Sequence, residues 1–285
     1  MLRTFLAIVM LISIVSNVYA VQSTIMESEG DACMGDDKSR KQTEKQSMDD
    51  AKKNAVENVL TYVKSETKVK DFQIEEDMMK AYANASVKIL EVKEKRWYKD
   101  ERSGDCLKTT IKAEVIPDEK AIKEAVASKV SFDNPGLPLN VRLWTDKKEF
   151  KRGDKIRIYI QGNKPFYARV HYRNATGEIV QLLPNPYRAE NYFNGGVIYE
   201  IPSGNDRFEL EVSPPFGEES VILYSSTSPL GDISLSRSDE VYQVMTKEKD
   251  IGIKTRGIKL KEKIKDGQPQ ASEFYEERVT VKTGR

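Results

Sequence analysis

"SVILYSS", residues 220–226, carries Val221, Ile222, Leu223 and Tyr224 on consecutive positions. A strand with one wet face alternates between apolar and polar residues, whereas one apolar at every position is covered on both faces. The stretch therefore reads as a central strand, and the surrounding sequence supplies neighbours. Short alternating runs recur at 139–144 (LNVRLW), 155–160 (KIRIYI), 166–172 (FYARVHY), 178–183 (EIVQLL), 197–201 (VIYEI), 207–212 (RFELEV) and 241–246 (VYQVMT). Turn residues punctuate them, among them Arg152-Gly153-Asp154, Asn174-Ala175-Thr176-Gly177 and Ser203-Gly204-Asn205-Asp206. Many short strands at such spacing predict an all-β sandwich over 139–250, immunoglobulin-like or jelly-roll-like. Residues 251–285, with IKTRGIKLKEK and ERVTVKT, are expected as C-terminal strands or an edge-covering extension.

Upstream the pattern changes. Met48, Ala51, Ala55, Val59 and Val63 recur near the helical period, with charged residues between them, as an amphipathic helix on a core requires. ETKVKDF (66–72) reads as a short strand, and residues 75–85 as a helix with Met78, Met79, Tyr82 and Ala85 on one stripe. LKTTIKAEVIP (107–117) alternates without a break, with Leu107, Thr109, Ile111, Ala113 and Val115 on one face. It pairs with 86–98 across a Ser-Gly-Asp turn, and Asp118 caps a last helix running to Lys129. Residues 21–131 thus read as an α+β domain, two or three helices on a small antiparallel sheet. FDNPGLPLN, rich in proline and asparagine, marks a linker at 132–138.

The first twenty residues have the form of a signal peptide: Arg3, an apolar run from Phe5 to Val15, then Val18-Tyr19-Ala20. Cleavage is expected after Ala20, leaving no stable membrane span and a periplasmic or secreted protein. Retention as an anchor is the alternative, although the apolar run is short for a hydrocarbon core of roughly 30 Å. In an oxidising compartment Cys33 and Cys106 read as a disulfide, with two free thiols as the alternative. Lys and Arg number 46 against 45 Asp and Glu, a balance that argues against nucleic acid as a partner.

Motifs of catalysis are not found. His171 is the one histidine, and alternation puts it with Arg169 and Arg173 on the more polar face of its strand, as a surface or rim residue. No metal-ligand spacing, nucleophile motif or phosphate-binding glycine loop emerges, so catalytic, metal and cofactor sites are all expected to be absent. One stretch has binding chemistry: QLLPNPYRAENYFNGG (181–196). Leu182 and Leu183 finish a strand, Pro184 stops it, and Gly195-Gly196 frees the backbone before the next. The residues between, Asn185, Tyr187, Arg188, Asn191, Tyr192 and Phe193, are either the cap of a sandwich or a ligand- or partner-binding rim.

Two resemblances add to this. Leu143 to Asp146, Gly153-Asp154, Tyr167, Gly177, the Leu-Leu-Pro-Asn run, Ile201-Pro202 and Pro215-Phe216-Gly217-Glu218 follow one another in order. Through them residues 139–230 resemble the bacterial family called domain of unknown function 4384. This likeness implies a module without a settled biochemical activity, appended to exported or envelope proteins and to some enzymes. Through SEGDA, residues 49–79 (DDAKKNAVENVLTYVKSETKVKDFQIEEDMM), VKILEVKEKRWYKD and IKAEVIP, residues 27–117 are similar to the first domain of flagellar assembly protein T and related small envelope lipoproteins. The expected function is an exported, non-enzymatic binding or assembly module whose partner is another envelope protein or a cell-wall component. The alternatives are a hydrolase working through carboxylates and an accessory subunit of an envelope or flagellum-related complex.

Overall fold

The computed structural model describes residues 21–66, 72–126, 134–238, 241–256 and 271–285. The expected signal segment, most of the strand expected at 66–72 and residues 257–263 of IKTRGIKLKEK lie outside these residues. The chain is mostly β, with a large, curled antiparallel sheet and few helices. In chain order the elements are β1 (Val21–Cys33), α1 (Arg40–Glu66), α2 (Phe72–Ala83), β2 (Ser86–Asp100), β3 (Gly104–Ile116) and α3 (Glu119–Val126). Then come β4 (Val141–Thr145), β5 (Glu149–Lys151), β6 (Ile158–Gly162), β7 (Phe166–Arg173), β8 (Ile179–Leu183), β9 (Tyr192–Phe193), β10 (Tyr199–Ile201) and β11 (Glu218–Ser226). The last four are β12 (Leu235–Ser238), β13 (Val241–Val244), α4 (Glu248–Thr255) and β14 (Ser272–Gly284).

β11 is central and buried on both faces, between β7 and β14. The main sheet runs β12-β13-β8-β7-β11-β14-β1-β3-β2, and a separate three-stranded sheet runs β10-β6-β4. Phe150, Ile158, Ile160, Phe166, Leu183, Phe193, Val221 and Leu223 form the apolar layer between the two sheets. Burying such residues completely contributes about 1.5–3 kcal/mol each before entropic costs.

The C-terminal strand is not an edge cover. Residues 274–276 of β14 pair with β11 on one side and β1 on the other, so β14 is the seam through which the sheet continues into the N-terminal half. ERVTVKT is recognisable as a strand. Its place in the sheet depends on non-local pairing that local alternation does not encode. The expected ribbon around 253–263 is also corrected where it is described: residues 253–255 belong to α4.

In the N-terminal half α1 lies on β1 and β3. Ser39 caps it with Gln42, each reaching the other's backbone N–H. Its buried residues, Thr43, Ser47, Ala51, Ala55, Val59 and Val63, stand four apart, with the smallest of them at 47, 51 and 55. These small residues let the helix descend onto the sheet. A Cβ on Gly30 of β1 would lie 2.1 Å from the Ala51 nitrogen. Hydrogen bonds close this contact: Ser28 Oγ to the Ala51 carbonyl (2.9 Å), and Ser47 Oγ to the Gly30 carbonyl (3.0 Å) and Thr109 (2.7 Å). β3 buries the predicted face completely, and Asp118 accepts from Ala121 N (2.8 Å) at the start of α3. Cys33 and Cys106 are directly opposite on β1 and β3 and form a disulfide. Its ends are separated by 73 positions, which in the chain-entropy model stabilises by about 4 kcal/mol.

Buried charge ties the halves together. Glu273 of β14 accepts from Leu139 N (2.5 Å), from Lys164 Nζ (3.0 Å) and from the Tyr62 hydroxyl of α1 (3.0 Å). On the other face Arg256, at the end of α4, pairs with Glu114 of β3 and Glu276 of β14. Glu277 is different: it faces β4 with Oε2 unpartnered, and burial pushes its carboxyl from an ordinary 4.5 up to about 8 despite Leu143 and Arg142. The folded state therefore binds this proton more tightly than the unfolded chain. Glu277 costs stability as pH rises from about 4.5 through about 8, by on the order of a few kcal/mol. Glu277→Gln is expected to be more stable than the parent at pH 8.5 and to flatten this loss in urea unfolding across that pH range. Parallel profiles for the two proteins would refute the assignment.

Candidate functional site: a cleft at the mouth of the two sheets

Between the two sheets, at the end where β7 and β8 meet, a half-open cleft of about 310 Å³ enters the apolar layer. Alternation explains which residues face it. Val170 and Leu182 point into the layer, so Tyr172, Asn174, Glu178 and Val180 follow on the same side and reach the mouth. Glu219 of β11 joins them because Val221 and Leu223 also point inward. The opposite wall is residues 209–215, with Leu210 and Val212 facing the apolar layer. Val241 stands at the rim, 40 % exposed.

The polar groups of the cleft are held in place. Tyr172 donates a short hydrogen bond to Glu219, which also accepts from Ala175 N (3.3 Å). Burial, reinforced by that bond and the Glu219 charge, pushes the Tyr172 phenol well above its ordinary range, so it keeps its proton and acts as a donor. Asn174 organises the β7–β8 turn, accepting from Thr176 N and Glu178 N (both 3.0 Å) and donating to the Glu178 carboxylate (3.0 Å). The lining contains Glu178, Glu209, Glu211 and Glu219 and no lysine or arginine. It offers hydrogen-bond acceptors, a negative field and apolar contact. No group of side chains suited to a metal ion occurs among the described residues. The carboxyl raised to about 8, Glu277, is not in the cleft lining.

The expected rim residues lie elsewhere, and several are occupied structurally. Asn185 is buried and closes its own turn, accepting from Tyr187 N and Arg188 N (both 2.8 Å) and donating to the Leu182 carbonyl (2.7 Å). Arg188 pairs with Asp206 (3.0 Å), and Phe193 is core, stacked on Phe166. The Asn191 carbonyl accepts from Ala168 N (2.8 Å). Tyr187 and Tyr192 remain exposed, against Phe208 and Tyr167. Gly195 is required by contact: a Cβ there would come within 2.6 Å of the Lys164 backbone.

His171 is not a surface residue. It is fully buried against Tyr224, because α4 and the segment around Leu230 and Gly231 cover the face that the strand pattern suggested was wet. Arg169 on that face donates to the Gly231 carbonyl (2.9 Å), and Arg173 pairs with Glu248 of α4 (3.5 Å). Burial, with the Arg169 charge second, lowers the His171 pKa to about 3, so the ring is neutral in ordinary conditions.

Residues 149–229 match a family model described as Domain of unknown function (DUF4384). No curated protein and no solved structure matches the chain. The matched segment is close to the expected 139–230, and it contains every residue of the cleft lining except Val241. None of the lining residues is among the binding residues expected from the sequence. The signal for the cleft was RFELEV, whose period of two puts Glu209 and Glu211 on one face and Leu210 and Val212 on the other.

Proposed function

We propose that the chain is an exported, non-enzymatic module of a cell envelope, periplasmic or secreted, that holds a partner envelope protein or cell-wall component at this cleft. In this reading an N-terminal α+β half braces a C-terminal two-sheet sandwich, and the signal segment is removed after Ala20. The observation that carries it is the cleft itself: an acidic, apolar-walled opening built almost wholly from the family-matched residues. A disulfide is compatible with an oxidising compartment. The N-terminal likeness to flagellar assembly protein T stays part of this proposal, as does a role in assembly.

The test is site-specific photocrosslinking in cells, with a benzophenone amino acid at Ser213, exposed on the cleft wall, and at Lys99 on β2 as a remote control. A discrete adduct is expected at Ser213 alone, lost when Val180→Trp fills the cleft. No adduct at Ser213, or one that Val180→Trp leaves unchanged, removes the cleft as the binding site.

A further inference from the structure

The wall of the cleft is an unfinished strand. Residues 208–212 run antiparallel to 153–156: Ile156 N donates to the Leu210 carbonyl (2.8 Å), Val212 N to the Asp154 carbonyl (2.9 Å) and Gly153 N to the Val212 carbonyl (2.9 Å). Lys155 and Glu211 are the directly opposed pair between these bonds. In an antiparallel ladder, such a pair turns its own N–H and C=O groups outward, away from the partner strand. Glu211 N–H and C=O therefore point to the free side, as do those of Glu209 by the same alternation. Neither residue takes a backbone hydrogen bond there among the described residues. That free side borders the cleft, across from Val180 and Leu182 of β8. An open edge beside an apolar trough is the arrangement that accepts an added strand.

The same alternation specifies the added strand. Its inward side chains would meet Val180, Leu182 and Val241, so they must be apolar. Its outward side chains would stand beside Glu209 and Glu211. Glu209 is already paired with Lys155 (2.6 Å), whereas Glu211 has no ion pair or side-chain hydrogen bond among the described residues. With no basic residue in the lining and Glu178 at the mouth, complementarity asks for a cation.

We infer that the cleft binds an extended segment of a partner protein, alternating basic and apolar residues, which adds as a strand to the free edge at residues 209–213. This rests on the proposed binding role of the cleft and names what fills it. Each component has a separate reason: the edge supplies main-chain hydrogen bonds, the trough selects apolar side chains, and Glu211 selects charge.

The probe is an acetylated and amidated heptapeptide of alternating lysine and valine, titrated into the mature protein by calorimetry. Binding is expected, with affinity reduced about tenfold by Glu211→Lys, which replaces an attractive cross-strand pair by a repulsive one. Methylating the probe's backbone nitrogens that face the edge should abolish binding, since it removes the donors while keeping charge and side chains. The counterpart with glutamate in place of lysine should bind far more weakly. A methylated probe as tight as the parent overturns strand addition, and no binding by the parent probe overturns the inference outright. A Ser213 crosslink that persists when the probe fails leaves the cleft as a binding site with a different occupant.

Discussion

Gly30→Ala is expected to destabilise the fold by about 3 kcal/mol or more, at the upper end of the usual cost of overpacking. The added methyl would meet the Ala51 nitrogen at 2.1 Å, the Ser47 carbonyl oxygen at 2.4 Å and the Ala51 Cα at 2.7 Å, all main-chain atoms of α1. A flexible side chain would swing away, but a helix backbone moves only as a unit. Lifting α1 would stretch the Ser28–Ala51 and Ser47–Gly30 hydrogen bonds and open the layer beneath Ala51, Ala55 and Val59. Chemical unfolding measures the loss, with Gly204→Ala as the comparison. Gly204 has no atom within 4 Å of a built Cβ and should change stability by less than about 0.5 kcal/mol. Equal unfolding midpoints for the two variants would contradict the close approach of α1 to β1.

Glu273→Ala should cost about 3–5 kcal/mol, the range for removing one partner of a buried pair. The carboxylate is almost fully buried and serves three donors from three parts of the chain: Tyr62, Leu139 and Lys164. Its loss strands a buried ammonium, a backbone N–H and a phenol together. Glu273→Gln keeps acceptor capacity and should cost less, and adding Lys164→Met to it should recover part of the loss by removing the orphaned charge. Unfolding free energies of the four proteins test this. A loss under about 1 kcal/mol for Glu273→Ala would show that the hub is dispensable.

Much of the architecture was legible where local pattern determines it. The period of two in residues 107–117 and the apolar run 220–226 gave strands that β3 and β11 occupy, and spacing along 48–63 gave α1. β1 was not recognised, because Gln22, Ser23, Thr24, Ser28 and Gly30 look like a polar terminus. Ser28 and Gly30 are buried because the α1 backbone sits directly on them, a closeness that demands small side chains, while Ser23 and Thr24 are buried against Glu114 and Tyr82. His171 failed for a related reason: alternation tells two faces apart but not which of them another element will cover. The candidate binding residues at 185–193 were picked out by residue type. Asn185, Arg188 and Phe193 have the chemistry of recognition and use it on their own turn, on Asp206 and on the core. The cleft is formed by backbone direction as much as by side chains, and composition carries no trace of that.

The position of β14 has a consequence for how the molecule comes into being. Residues 272–284 come later in the chain than every strand they join, so β11 and β1 each keep an unpaired edge until β14 is in place. A chain cut short before residue 272 would lack the piece that makes one body of two, and its exposed strands would mark it for degradation.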